Sequence, residues 1–459
     1  MTARLFLASL AALLLAAPTA ANAEPYASTY RPLPAQPVLI VNATVLTGTG
    51  ERIENGHVLL NDGRIEALGA EEIDVPEAAR IVDADGRWVT PGLIDVHSHL
   101  GVYPSPGIKA HSDVNEATDP VTAAVWAEHS VWPQDPGFSR ALAGGVTSLM
   151  VLPGSANLIG GRGVTLKNVP ANSYQAMKFP GAPHSLKMAC GENPKRVYGG
   201  KGRAPSTRMG NVAGYRAAWI EARDYLEQQA DGGTKKKGRN GDDEDSPPKR
   251  DLRLETLAGV LEGEILVHMH CYRADEMMTI LDMAQEFGYR VTAFHHGVEA
   301  YKIADELAAN GVCGALWADW WGFKAEAYDG IQENIALVDR PEGGCAIVHS
   351  DSSEGIQRLN QEAAKAMTSG NRAGLDIPPE RAIRWITANP AQAMGILDET
   401  GTLEPGKMAD VVIWNGNPFS VYALADQVFV DGALLYDRND PALQPISDFE
   451  LGQQLEAGE

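Results

Sequence analysis

The sequence is poor in cysteine, in positive charge and in long apolar runs, and each shortage narrows what the protein can be. Its four cysteines, Cys190, Cys271, Cys313 and Cys345, are scattered singly along 459 residues. Each is therefore expected to be a small buried hydrophobe rather than half of a bridge. Lys and Arg number 38 against 60 Asp and Glu, a formal net charge of −22. Such a field repels phosphate backbones and anionic lipid, which excludes nucleic acid as an expected partner. A local basic run, Lys235-Lys236-Lys237, is soon followed by Asp242-Asp243-Glu244-Asp245, so the two cancel. Beyond the first residues, no stretch stays apolar for the roughly 20 residues that a membrane-spanning helix needs.

What is present begins with a basic Arg4, an apolar run over 5–17 and the small-residue site Ala21-Asn22-Ala23. In that order these describe a secretory signal peptide, 1–23, cleaved after Ala23. The mature protein is expected to be exported, and periplasmic if the source is Gram-negative. Hydrophobic residues at 44% and charged residues at 21% suit a soluble globular chain with a substantial core. That length exceeds one simple core, so two structural units are expected.

One unit draws on both ends of the chain. Short β-rich segments at 38–46, 57–60 and 64–68, with the turn Asn61-Asp62-Gly63, are matched near the far end by 411–414 and 428–432. These pieces, 38–89 and 396–440, predict a small composite β-sandwich domain. Between them, over 90–395, apolar runs at 149–152, 265–267, 291–294 and 346–348 alternate with helical periodicity at 277–287 and 300–310, stopped by Gly288 and Gly311. The repeat predicts an α/β architecture, a (β/α)8 TIM-like barrel. The Gly-, Lys- and Asp-rich stretch 228–253, with Pro247-Pro248, reads as a flexible surface insertion without chemistry.

The chemistry is written at the ends of the apolar runs. The first ends in His97-Ser98-His99, and residues two apart on a strand point the same way, so both imidazoles can meet one metal ion. Later runs end in His268-Met269-His270, His295-His296-Gly297 and His349-Ser350-Asp351. Seven of the eleven histidines stand at these four places, which packing alone would not produce. Barrel active sites are assembled from the C-terminal ends of several strands, so this is the placement that a shared metal centre requires.

Here the chain resembles the amidohydrolase superfamily, particularly exported members similar to imidazolonepropionases and Xaa-Pro dipeptidases. The resemblance covers nearly the whole mature chain. It is carried by Pro91-Gly92-Leu93-Ile94-Asp95-Val96-His97-Ser98-His99, the late Asp351, and the closing Gly406-Lys407-Met408-Ala409-Asp410-Val411-Val412. It implies a divalent metal, zinc first, as one or two ions. It also implies His97 and His99 as first-strand ligands, His268 from the fifth strand, His296 from the sixth, and Asp351 as the last-strand aspartate that binds metal and handles the proton. His268 is taken over His270 because the family's ligand there follows the apolar run directly. His296 is taken over His295 because a His-Gly pair is usual; the neighbouring histidine then orients substrate or supports a ligand. Two-metal members use a bridging glutamate or carboxylated lysine, and 185–193 offers both. Glu192, just beyond the strand, is favoured over the deeper Lys187.

These groups imply hydrolysis of an amide or related C–N bond of a small molecule or peptide, with Asp351 as general base and acid. The glycine-rich run 152–163 lacks the Gly-Lys-Ser/Thr ending of a phosphate loop and is expected to border the substrate. Arg196, Arg203 and Arg208, after the fourth strand, are candidates for holding a substrate carboxylate. Lactam hydrolysis or ring deamination is the alternative within enzymes. For deamination, the position three after the fifth-strand histidine should be Glu, whereas it is Cys271 or Arg273. A metal-free binding protein on the same fold is the reading from another class. Self-association into a homo-oligomer is compatible with all of these.

Overall fold

A computed structural model describes residues 26–105, 107–230 and 249–444, together with the backbone of Lys235–Lys237 and Asp243–Asp245. The signal segment 1–23 lies outside the described residues, as does most of the insertion, where the two short segments just named pair antiparallel. The insertion is narrower than 228–253. The helix Arg208–Ala230 runs into its start, and the helix Leu252–Leu261 begins at its end, with the Asp251 side chain accepting from the N–H groups of Arg253 and Leu254.

Both chain ends build one sheet. Val38–Leu46 lies near its centre, antiparallel to Arg52–Asn61 and parallel to Trp88–Pro91. Trp88–Pro91 in turn pairs antiparallel with Val411–Trp414, which is where the two ends of the chain meet. Two hairpins share one cause. Asp62 and Gly63 have φ 47° and 75°, and Asp431 and Gly432 have φ 46° and 74°. Each pair links strands in direct register, Asn61 with Arg64 and Val430 with Ala433, as two-residue turns of this left-handed kind do. The sheet closes over a common core of Ile40, Val58, Ile65, Val411, Ile413 and Phe429.

The larger unit is an eight-stranded barrel. In spatial order its strands are Leu93–Ser98, Val146–Val151, Ile159–Lys167, Ser185–Ala189, Leu266–Cys271, Val291–His296, Cys313–Leu316 and Ala346–Val348. The first, second, fourth, seventh and eighth are buried at every position, as continuous apolar runs between a filled interior and covering helices should be. The third strand departs from the parallel pattern. It follows the second through a short loop with no helix between, and so runs antiparallel to both neighbours. That splits the glycine-rich run 152–163 into a loop, of which Gly154 and Ser155 face the barrel mouth, and the start of a strand. The eighth strand joins the first through the Asp351 N–H to the His97 carbonyl at 3.0 Å and the Ser350 N–H to Asp95 Oδ1 at 3.2 Å.

The two units are locked by a buried charge. Lys167, at the end of the third strand, lies 2.9 Å from Asp410 and 3.1 Å from Asp431 of the small sheet, and Tyr30 donates to Asp431. Asp410 of the closing motif is therefore a joint between units.

The cysteines depart from expectation: all four are bridged, Cys190 to Cys271 and Cys313 to Cys345. The cause is register. Ala189 is level with His270 and Gly314 with Ala346, so each pair of cysteines occupies adjacent positions on neighbouring strands, with Cα atoms 5.2 and 4.6 Å apart. Sequence separations of 81 and 32 residues concealed that proximity.

Candidate metal centre

The C-terminal ends of the barrel strands surround a cavity of about 650 Å³, into which His99, His270, His296 and Asp351 project. The first strand supplies His97, fully buried, and His99 just beyond its end. The His99 Nδ1–H donates to the Leu152 carbonyl at 2.8 Å, so a neutral His99 turns a bare Nε2 lone pair toward Asp351 Oδ1, 3.1 Å away.

His97 is oriented by a chain of imidazoles. At its far end, His268 Nε2 lies 3.1 Å from the Ala393 carbonyl, which can only accept, so that nitrogen carries the proton. His268 Nδ1 then accepts from His295 Nε2 at 2.8 Å, and His295 Nδ1 accepts from His97 Nδ1 at 2.8 Å. Burial, together with neighbouring imidazoles and Lys187, holds His97, His295 and His296 well below the ordinary histidine range; burial and Lys187 do the same for His270. The rings are therefore neutral, and the chain leaves His97 Nε2 unprotonated, 3.4 Å from Asp351 Oδ1 and 3.5 Å from Lys187 Nζ.

The structure thus brings together His97, His99, His296 and Asp351 of the sequence-predicted set. His97, His99 and Asp351 form one group whose donor atoms lie within 4.8 Å of one another, and His97, His296 and His349 form a second. His296 and Asp351 both have left-handed backbone, φ 72° and 51°. At His296 this breaks strand alternation, so that His295 and His296 both turn inward, one deep and one at the mouth. Strain of this kind in residues other than glycine concentrates at functional sites.

Two predicted residues stand apart. His268 has both ring nitrogens engaged in the deep chain and does not line the cavity. The strand runs on to Cys271 rather than ending at Val267, so His268 and His270 share a face and differ in depth, and His270 is the one at the mouth. Glu192 belongs to neither donor group; it opens the helix Glu192–Gly199, and its N–H is held by Glu326 Oε2 at 2.7 Å. The fourth-strand group that reaches the centre is Lys187, wholly buried, whose Nζ donates to the Pro153 carbonyl at 3.1 Å. Burial lowers its pKa to about 8. A long side chain makes up for a deep position.

The site fits a cation on two observations. Two lone-pair-bearing imidazole nitrogens face a carboxylate oxygen with no proton to share, and His270 Nδ1, His296 Nδ1 and both nitrogens of His349 are buried without a hydrogen-bond partner. Buried polar groups left in that condition are costly.

Sequence reasoning missed the other wall of the cavity: Asn193, Tyr272, Trp317, Trp320, Phe323 and Lys324. A signal was available, because three of the nine tryptophans fall at 317, 320 and 321, directly after the seventh strand. Two of the arginines expected to hold a carboxylate are paired within the protein, Arg203 with Asp119, and Arg208 with Glu276 and Glu326. Arg196 is exposed on its helix.

Comparison with known proteins adds the following. The family model described as "Amidohydrolase family" matches residues 338–437. The amidohydrolase tasK of Hapsidospora irregularis is 33% identical over 442 residues, which is 89% of this chain and 44% of that protein; the chain spans less than half the length of that relative. An imidazolonepropionase of Mesorhizobium japonicum is 25% identical over 395 residues, 79% of this chain and 87% of its own. A crystal structure of an amidohydrolase from Thermotoga maritima superposes with a TM-score of 0.78 at 35% identity, covering 87% of this chain and 100% of that one.

Proposed function

The chain belongs to the amidohydrolase family, and from that premise we propose that it is an exported, metal-dependent hydrolase of an amide or related C–N bond in a small substrate, of which a dipeptide is one form. The observation that carries the reading is the convergence of unprotonated, buried imidazole nitrogens on the carboxylate of Asp351 at an open barrel mouth. His97, His99 and Asp351 would hold one divalent ion, zinc being the first choice for such donors, and His270 and His296 a second. Such an ion, when bound, lowers the pKa of water from about 15.7 toward 7 and polarises a substrate carbonyl.

The chain's own groups do the rest. Asp351, a quarter exposed to the cavity, accepts a proton from the attacking water on a carboxylate oxygen and returns it to the leaving nitrogen. Ring deamination lacks its acid, because Cys271 is bridged and Arg273 pairs with Asp275. Export is supported by the bridging of all four cysteines, since disulfides persist in oxidising compartments.

The test joins metal analysis to turnover. Purified protein should contain a divalent ion, lose activity toward a panel of acyl amino acids and dipeptides on chelation, and regain it with zinc. Asp351→Asn should lower kcat by at least about 10³-fold at unchanged Tm. A folded protein that takes up no metal would remove the reading.

The position of Lys187 favours a two-ion form. A neutral lysine amine adds carbon dioxide, releasing one proton and giving a carbamate; at Lys187 such a carboxylate would help to hold both ions, a role for which Glu192, outside both donor groups, is not placed. Lys187→Ala should abolish turnover, with partial return on adding acetate or propionate; full activity in Lys187→Ala would exclude this form.

A further inference from the structure

The cavity holds a cation that the hydrolytic machinery does not use. Lys324 is the only lysine or arginine among the described residues lining it. Its Nζ donates to Asn193 Oδ1 at 2.9 Å and to the Tyr272 hydroxyl at 3.1 Å, and lies over the rings of Tyr272 and Phe323, 5.2 and 5.6 Å from their centres. All three partner residues are neutral, and among the described residues Lys324 makes no ion pair. An ammonium so placed is held in position without being neutralised.

Its distance from the reacting centre is set by one side chain. Asn193, which accepts from Lys324, also contacts His270 Nε2 at 3.3 Å through its amide nitrogen. Lys324 is therefore linked to His270, at the same cavity mouth as Asp351, through a single bridging amide and two hydrogen bonds. Beside it stands an aromatic wall: Trp317 stacks on His296 with centroids 4.3 Å apart and adjoins Trp320 at 5.5 Å and Phe323 at 5.7 Å. Trp320 and Phe323 are exposed.

The loop bearing these groups is anchored. Glu326, buried, accepts from the Glu192 N–H and from Arg208. Gly191, at φ 75°, permits the approach, since a Cβ there would lie 2.4 Å from Glu326 Oε2. The ammonium is thus presented by a fixed element in a protein whose field is otherwise acidic.

We propose that Lys324 is the receptor for a free substrate carboxylate, and that the substrate is an N-acyl or N-peptidyl amino acid with a large apolar side chain laid on the Trp317–Trp320–Phe323 wall. This rests on the hydrolase reading only for the fate of the bond; recognition of the carboxylate is separable from it. The arginines after the fourth strand do not serve, because two are already paired and the third does not line the cavity.

The test compares N-acetylphenylalanine with N-acetylphenylalaninamide on the metal-loaded protein. Binding to Asp351→Asn, followed by calorimetry, needs no turnover. A charged hydrogen bond there should make the acid bind roughly 10- to 100-fold tighter than the amide. The ratio should fall to near one in Asp351→Asn/Lys324→Met and be largely kept in Asp351→Asn/Lys324→Arg. In the wild-type enzyme kcat/KM should favour the acid by a similar factor, expressed in KM. Equal binding of acid and amide by the protein with Lys324 intact, or a preference unchanged by Lys324→Met, overturns the proposal. Tight acid binding that depends on Lys324 without any hydrolysis by the wild-type protein would instead sink the hydrolase reading and leave the subsite standing.

Discussion

At the scale of single residues, the deep imidazole chain decides which nitrogen of His97 is free. Ala393 fixes the His268 proton, His268 fixes that of His295, and His295 that of His97. His268 is a positioning residue, and His268→Phe should weaken metal binding by about 10- to 100-fold, as loss of a ligand's supporting hydrogen bond does. Competition with a chromogenic chelator measures this directly, and an unchanged affinity would break the link. The His-x-His pair was legible because strand periodicity alone sets both side chains on one face. The choice between His268 and His270 was not, because both satisfy that periodicity and only the length of the strand reveals their depth. His349 was seen as part of a strand end but not as a donor, since Asp351 two positions on drew the assignment.

At the scale of elements, alternating apolar runs and helical stretches disclosed the barrel, and turn-forming residues at both chain ends disclosed the shared sheet. The antiparallel third strand escaped because its sequence, rich in glycine, carries loop character while its place in the order is dictated by the neighbours it bridges. The aromatic loop after the seventh strand escaped because exposed tryptophans follow no periodicity. Its anchoring gives a prediction. Gly191→Ala puts an alanine at φ 75°, ψ −144°, a region that glycine enters far more easily, costing about 1–3 kcal/mol, and pushes Glu326 from its two partners. Thermal unfolding should show the loss, and KM should rise more than kcat falls, because the displaced loop carries recognition rather than proton transfer. A variant with normal KM would show that the loop is held by other contacts.

For the molecule as a whole, the joint between barrel and sheet rests on Lys167, fully buried against Asp410 and Asp431. Removing one member of a buried charge cluster leaves the others uncompensated, at a cost of about 3–5 kcal/mol. Lys167→Met should therefore lower the unfolding midpoint sharply, while the Asp410→Asn/Asp431→Asn/Lys167→Met triple variant recovers part of it; equal stability of Lys167→Met and the parent protein would refute this. The two bridges have a consequence of the same reach. Cys190–Cys271 follows directly on His270 and is level with His296 across the sheet. In a reducing host the same positions would carry free thiols, soft donors that compete with imidazole for zinc and copper. Oxidation would thus keep sulfur away from any ion held there, and protein made in a reducing cytosol should acquire a different complement of metal from protein made where its cysteines can pair.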